Sequence, residues 1–459
     1  MAASTEPPPL AADAAGQARA GTGAWLGLAL LLVLGLYTHT DRQIFGLQAE
    51  PLRQALGLSD LQFGLLQGVS VALFASIVGY PLGWLADRFD RRWVLAACIA
   101  TWAAALVGCG MARDFNELFI ASAIVGAGEA GLLPITYAMV PELFRGRQRQ
   151  LANSLFIVAG RLMVGLVLAL CGWMIHAIDL WKPALPAAWQ ALPTWRLTFF
   201  AVALPALLLI PLIAALPRGR HAGGPAPKPQ PSPAVLPFLR ANRFTYASFY
   251  VGVGLLVFGF GATGAFLPVV ATRQMGVTPL EMGNAFGAAS FIAALAGLLI
   301  TNVGLKRLGN RFGNRLPLFV LAAAAFASAV FTACFWFATT PLTLFVLVGA
   351  QQTFLMAGSM VFPTVLQDMT PAPLRARLIS LLITFNMVMG SLSPALVGAM
   401  SDWLKPRADG LLLAMSAVGA AALALSAVFS LLCSRRYAAT IAAARGLEDA
   451  DGMRPPISR

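Results

Sequence analysis

Long apolar runs recur along the whole chain, each closed by a short polar break, and this alternation sets the reading of everything else. A run of about 20 apolar residues spans the ~30 Å hydrocarbon core of a bilayer as an α-helix. Twelve such runs are predicted, beginning near Ala24, Leu61, Arg92, Phe115, Gln150, Trp195, Asn242, Pro279, Arg315, Pro341, Leu374 and Asp409. Between the sixth and seventh lies PRGRHAGGPAPKPQPSPAVLP, Pro217 to Pro237, whose proline-rich, basic composition suits an exposed linker. The pattern divides the chain into a disordered tail (1–23), a six-helix bundle (24–216), a linker (217–241), a second six-helix bundle (242–433) and a tail (434–459).

Composition agrees. The 459 residues are 58% hydrophobic and 11% charged, with a mean hydropathy of +0.75. Soluble domains average about 25% charged residues, so the chain reads as an integral, multi-pass membrane protein. Its net charge of +13 would ordinarily raise nucleic acid as a partner. Here the basic residues sort by loop: 23 of the 32 Lys and Arg fall on the side holding both termini, and 7 on the other. The positive-inside bias explains the charge, places both termini in the cytoplasm and removes the nucleic-acid reading. Five scattered cysteines without a CxxC argue against a disulfide framework or a zinc site. The first 23 residues lack the charged start and cleavage site of a signal peptide. The Ala-, Leu- and Arg-rich composition suggests a bacterial inner membrane, with the protein there as a monomer.

An internal repeat is visible. FRGRQRQLANSLFIVAG (Phe144 to Gly160) resembles LRARLISLLITFNMVMG (Leu374 to Gly390), and a shift of 230 places Arg145 on Arg375, Arg147 on Arg377 and Gly160 on Gly390. Each follows a helix expected to bend at a proline, Pro134 or Pro363. Two six-helix halves with cytoplasmic ends resemble the parallel-repeat plan of the major facilitator transporters, an all-α membrane fold with substrate held between the halves. GWLADRFDRR (Gly83 to Arg92) matches the loop signature of that superfamily, G-x-L-x-D-R-x-x-R-R, at every defined place. Its bland reading is a basic cytoplasmic loop. The resemblance implies more: Gly83 allows close helix contact, Asp87 lies against the N-terminal end of helix 11, and Arg88, Arg91 and Arg92 complete a gate that favours the state closed to the cytoplasm. The C-half counterpart, GLKRLGNRFGNR, lacks the acid.

Ionisable residues inside spans are costly and mark function by default. THTDRQIF ends the first apolar run and carries His39, Asp41 and Arg42. At 1.5 Å per residue, Asp41 stands about 25 Å above the helix start, in the outer part of the membrane. Glu129, in GAGEAG, and Arg161, in VAGRLMVG, share a depth of roughly 18–20 Å on consecutive helices and are expected to pair. Arg42 lies between Asp41 and that pair. A static structural network is the competing reading. The repeat supplies a control: the same shift carries Glu129 to Ser359 and Arg161 to Ser391, so the C half packs at those depths without ions. His39 has a side chain suited to sensing pH, although near a helix end it also suits the interface. Five glycines and a proline in YVGVGLLVFGFGATGAFLP suit either a bending gate helix or close packing. Gln351 and Asn386, at mid-depth, are candidates for the substrate cavity or for joining helices.

Three segments together resemble the Spinster-like branch of the major facilitator superfamily: DRQIFGLQAEPLRQALGLSDLQFGLLQG (Asp41 to Gly68), the GEA at Gly128 to Ala130, and the loop signature. The resemblance implies that Asp41, Arg42 and Glu129 serve proton-dependent gating and that the substrate is an amphiphile such as a lysolipid or sphingosine phosphate. Ser122 stands where relatives often carry an arginine. The expectation is a proton-coupled secondary transporter working by alternating access on an amphiphilic or organic anion. It is driven by the proton gradient, without cofactor or metal, and its coupling residues are Asp41, Arg42, Glu129 and Arg161. A drug–proton antiporter or an uncoupled facilitator of the same fold is the alternative; a membrane sensor is a further one. No Walker motif, HExxH or serine-triad spacing supports an enzyme.

Overall fold

The structure, a computed structural model, describes residues 21–37, 40–144, 146–215, 235–371, 374–405, 407 and 409–450. Among the described residues, twelve helices are long and apolar enough to cross a membrane. They are α1 (Thr22–Leu47), α2 (Asp60–Gly79), α3 (Arg91–Met111), α4 (Phe115–Thr136), α5 (Gly165–Ala184), α6 (Thr194–Ala214), α7 (Arg243–Met275), α8 (Pro279–Gly309), α9 (Gly313–Phe337), α10 (Pro341–Asp368), α11 (Arg377–Trp403) and α12 (Gly410–Gly446). The polar breaks in the sequence are helix caps. Asp90 accepts from the Arg92 amide at the start of α3, Asp114 accepts from Glu117 at α4, and Ser59–Gln62, Thr278–Glu281 and Thr340–Thr343 close capping boxes at α2, α8 and α10.

Proline acts upstream of itself. The ring of a helical proline clashes with the carbonyl four residues earlier and leaves it without its amide partner. The interruption in α4 accordingly falls between Glu129 and Leu132, ahead of Pro134, and that in α7 falls between Gly264 and Leu267, ahead of Pro268. The expected bend at Pro363 is not a break; the helix Pro341–Asp368 runs through it. Most of the linker lies outside the described residues, and its end forms a short helix, Val235–Ala241. Beyond 433 the expected tail continues as helix to Ala450, because Tyr437, Ile441 and Ala444 bury an apolar face alongside Tyr246 and Val365.

Among the described residues the close crossings between the two halves lie toward one end. Opposite the basic loops, a single apolar core runs from the N half into Phe266, Val269, Met282, Val397 and Leu411 of the C half, with Phe63 edge-on to Phe266 at 5.6 Å. Glycines let two helix pairs cross at backbone distance there. A Cβ on Gly68 of α2 would stand 2.0 Å from the Ser391 carbonyl oxygen of α11, and one on Gly165 of α5 would stand 2.4 Å from that of Gly287 of α8. Toward the basic loops the same helices part: a Cβ on Gly79, Gly83, Gly304 or Gly309 would meet nothing within 4 Å. The expected close contact at Gly83 is therefore absent in this conformation, since the halves diverge before its depth is reached.

This asymmetry predicts opposite responses to one added methyl. Gly68→Ala must push α2 from α11 and should cost about 1–3 kcal/mol of stability in this conformation. Gly83→Ala fills open space and should be neutral or stabilising by up to about 1 kcal/mol, the usual helix gain over glycine. Thermal unfolding of the purified variants measures both; equal shifts would contradict the crossing geometry.

Candidate functional site

Small residues on two faces of α4 set up the site. A Cβ on Gly126 would meet the Val71 carbonyl oxygen of α2 at 2.3 Å, and one on Gly128 would meet the Trp102 amide nitrogen of α3 at 2.7 Å. With α2 and α3 pressed that close, Glu129 emerges at the last helical residue before the interruption. There its carboxylate meets Arg42 of α1, Nη2 to Oε2 at 3.6 Å. The Glu129 side chain is 11% exposed and that of Arg42 is 52% exposed, so the guanidinium is anchored on one side and open on the other.

Asp41, one residue before, is 1% exposed. Among the described residues neither of its buried carboxylate oxygens has a hydrogen bond of good geometry, and the Trp102 indole N–H, itself unpaired, is the donor beside them. Leaving a buried polar group without a partner costs about 1–3 kcal/mol, and an unpaired charge costs more. Trp102 also packs edge-on to Tyr37 at 5.8 Å, and Cys109 and Cys171 lie around the carboxylate. The neighbourhood is thus built from aromatic and thiol groups, with the Trp102 indole N–H as its strongest donor. Among the described residues the site holds two acids and one arginine. His39 and the Arg161 side chain fall outside the described residues, so the expected Glu129–Arg161 pair is not among the contacts seen.

Ser122 occupies the position of the family arginine. It is fully buried, and its hydroxyl lies 3.1 Å from that of Ser70 in α2. Ser70 in turn donates to the Leu66 carbonyl oxygen at 2.7 Å, inside the π-helical turn Leu66–Ser70 that also carries Gly68. A neutral hydroxyl pair thus joins α4 to the widened turn of α2, a link that sequence reasoning did not find. The C half matches its prediction. Ser359 donates within its own helix to Met356 at 2.9 Å, and Ser391 to Val388 at 2.9 Å.

The other candidates separate. Gln351 is 1% exposed and donates to Thr263 at 3.1 Å and to Thr332 at 2.9 Å, while its carbonyl oxygen accepts from Ser328. It ties α7, α9 and α10 together inside the C half and does not line a cavity. Asn386 of α11 is half-buried, and its Oδ1 has no partner. In the loop signature, Arg92 reaches Asp90, Nη2 to Oδ2 at 2.6 Å, and the Ala214 carbonyl oxygen, so it closes the start of α3 on Asp90. Arg88 stacks over Trp84 at 4.0 Å, and the Asp87 side chain lies outside the described residues. A 590 Å³ depression lined by Gln48, Gln54, Asp179 and Trp195 sits at the closed end, apart from the buried charges.

Comparison with known proteins places this arrangement. Residues 30–309 match the family model for the Major Facilitator Superfamily. Over 432 residues the chain is 26% identical to an MFS-type efflux pump of Mycolicibacterium smegmatis, covering 90% of this chain and 93% of that protein. It is 25% identical to protein spinster homolog 3 of Danio rerio (83% of this chain, 77% of that protein) and 25% identical to the sphingosine-1-phosphate transporter SPNS2 of Mus musculus (82% and 70%). Its fold matches the crystal structure of a bacterial homolog to the human lysosomal transporter Spinster, in an inward-facing and unoccupied conformation. The TM-score is 0.69 at 22% identity, over 93% of this chain and 98% of that one. The chain belongs to the Major Facilitator Superfamily, as a Spinster-like integral membrane transporter and not an enzyme.

Proposed function

We propose that this transporter couples substrate movement to protons through Asp41, and that Arg42 binds the anionic head of an amphiphilic, lipid-like substrate. One observation carries the reading: a buried carboxylate without a hydrogen bond lies next to an arginine that already holds a second acid. Two carboxylates and one guanidinium leave one negative charge in a dry site. A proton on Asp41 cancels it, and Arg42 can then turn its open side to a substrate anion. Loss of that proton draws Arg42 back. Because Arg42 and Glu129 sit on different helices, each exchange of partner shifts α1 relative to α4 within the N half. Arg161 belongs to the same proposal as a reserve cation at the depth of Glu129. With the basic loops in the cytoplasm, the conformation described opens inward, as alternating access requires of one of its states. A bacterial inner membrane suits both the composition and the bacterial relatives.

Proteoliposomes with an imposed pH gradient test the reading, with a lysophospholipid or sphingoid phosphate as probe. Asp41→Asn should abolish gradient-driven accumulation while gradient-free exchange continues. Accumulation at the normal rate in Asp41→Asn would falsify the proton assignment. Arg42→Ala should weaken anion binding about thirtyfold, the effect of the ~2 kcal/mol lost with a charged partner. Microscale thermophoresis of the purified protein reads this directly, and unchanged affinity would remove Arg42 from the substrate site.

A second reading, drug–proton antiport, rests on the similarity to the efflux pump and on Glu129, an acid that a cationic drug would engage. The two make opposite predictions in one thermal-shift experiment. Anionic amphiphiles stabilise the protein in the first, and hydrophobic cations do so in the second, with Glu129→Gln abolishing only the latter.

A further inference from the structure

A second group of ions lies far from Asp41, at the closed end. Arg273, in the last turn of α7, reaches across to the N half. Its Nε donates to Glu50 Oε2 at 3.0 Å, and its Nη1 and Nη2 donate to the two carboxylate oxygens of Asp60 at 3.1 and 2.8 Å. Ser401 of α11 donates to Asp60 at 2.7 Å. Asp402 of α11 accepts from the backbone amides of Asp60 and Leu61 at 3.1 and 2.9 Å. These two amides belong to the first turn of α2, which has no intrahelical acceptor for them. Ser59 already takes the third, from Gln62, so the C half supplies what the capping box leaves unmet. Six hydrogen bonds thus cross between the halves within a few residues, all involving a charged group.

The setting makes them count. The Glu50 and Asp60 side chains are 9% and 7% exposed, so their charges are largely removed from solvent, unlike ordinary surface pairs. Geometry matters too: a guanidinium fork on Asp60 is the strong, directional form of the interaction. The glycine crossings beside it, with Gly398 at the Asp60 carbonyl oxygen and Gly64 at that of Pro394, bring the two backbones close enough for it to close. We infer that Arg273, with Asp402 as its partner device, is a latch that holds the halves shut at this end, and that its release is a required step in reaching the oppositely open state.

The latch is built to ignore pH in the working range. Burial raises the Glu50 carboxyl, but hydrogen bonds from Arg53 and Gln54 and the charges of Arg273 and Arg53 outweigh this and hold it at about 2, against an ordinary value of 4.5. A depressed value stabilises the paired form at every pH above the ordinary one, and the benefit fades only as pH falls from about 4.5 toward about 2. Between pH 5 and 8 Glu50 therefore stays charged, and what opens the latch acts elsewhere than on the Glu50 carboxyl. The inference is independent of whether Asp41 is the proton site.

Spin labels read the two ends separately. One pair goes at the exposed positions Ala55 and Thr339 of the closed end, and another at the exposed Phe89 and Leu308 of the open end, in full-length protein in lipid nanodiscs. Arg273→Ala should lengthen the first distance and shorten the second, moving the population ratio about tenfold or more. Asp402→Asn, which leaves every side-chain ion pair to Arg273 intact, should do the same to a smaller degree and serves if Arg273→Ala fails to fold. Arg53→Ala is the control: it pairs with Glu50 inside the N half only, and it should leave both distances unchanged. Distances in folded Asp402→Asn identical to those of the native protein would overturn the inference, as would a shift in Arg53→Ala equal to that in Arg273→Ala. A native distance that changes between pH 8 and 5 with Asp41→Asn in place would overturn the pH-insensitivity.

Discussion

A charge removed from water must find a partner or lose its proton, and the N half of this protein is arranged around one carboxylate to which it gives no partner. The surroundings of Asp41 can be seen as consequences of that. The Trp102 indole and the thiols of Cys109 and Cys171 lie beside it, and its arginine neighbour is already tied to Glu129. A purely structural ion network would have closed on itself, as the latch at the far end does. That one group is saturated with hydrogen bonds and the other is left short is the strongest internal reason to assign them different work.

The same contrast runs between the halves. In the C half Ser359 and Ser391 bond within their own helices and Gln351 is enclosed by Thr263, Thr332 and Ser328, while Asn386 Oδ1 is left without a partner among the described residues. This half has little to titrate in its interior and much to pack. Its contribution to any cycle is then mechanical, a rigid body that the N half is moved against. Besides the shared apolar core, it touches the N half at the glycine crossings and the latch. Both are close-range contacts that cannot stretch, so the halves separate there in a step rather than by degrees.

Much of this was legible in the sequence, for definite physical reasons. Helix starts were readable because membrane spans need a minimum apolar length and because their caps are side chains of recognisable type. Asp41, Arg42 and Glu129 stood out because charge is rare in such runs. The latch did not stand out. Glu50, Asp60, Arg273 and Asp402 lie at helix ends, where charges are ordinary, and the residues that bond are 213 to 342 positions apart. Gln351 misled for the converse reason: an isolated polar residue in a span looks functional until the hydroxyls of three other helix positions are seen around it. The bend expected at Pro134 shows as an interruption a turn earlier, where the carbonyl displaced by the ring lies, and at Pro363 the helix is continuous.

Ser122 sharpens the charge argument. An arginine at that position would have supplied a second cation beside two acids and balanced the site without any proton. The serine instead bonds to Ser70 and is fully buried, so α4 is held to the π-helical turn of α2 by neutral groups. Balance must then come from the Arg161 side chain, which lies outside the described residues, from a proton, or from a bound group brought in from outside. The helix pair that Ser122 and Ser70 join also carries Gly68, the tightest crossing to the C half. Glu129 stands on the same α4, so the buried acid and the crossing are joined through the Ser122–Ser70 hydroxyl pair and through the backbone approach of Gly126 to Val71.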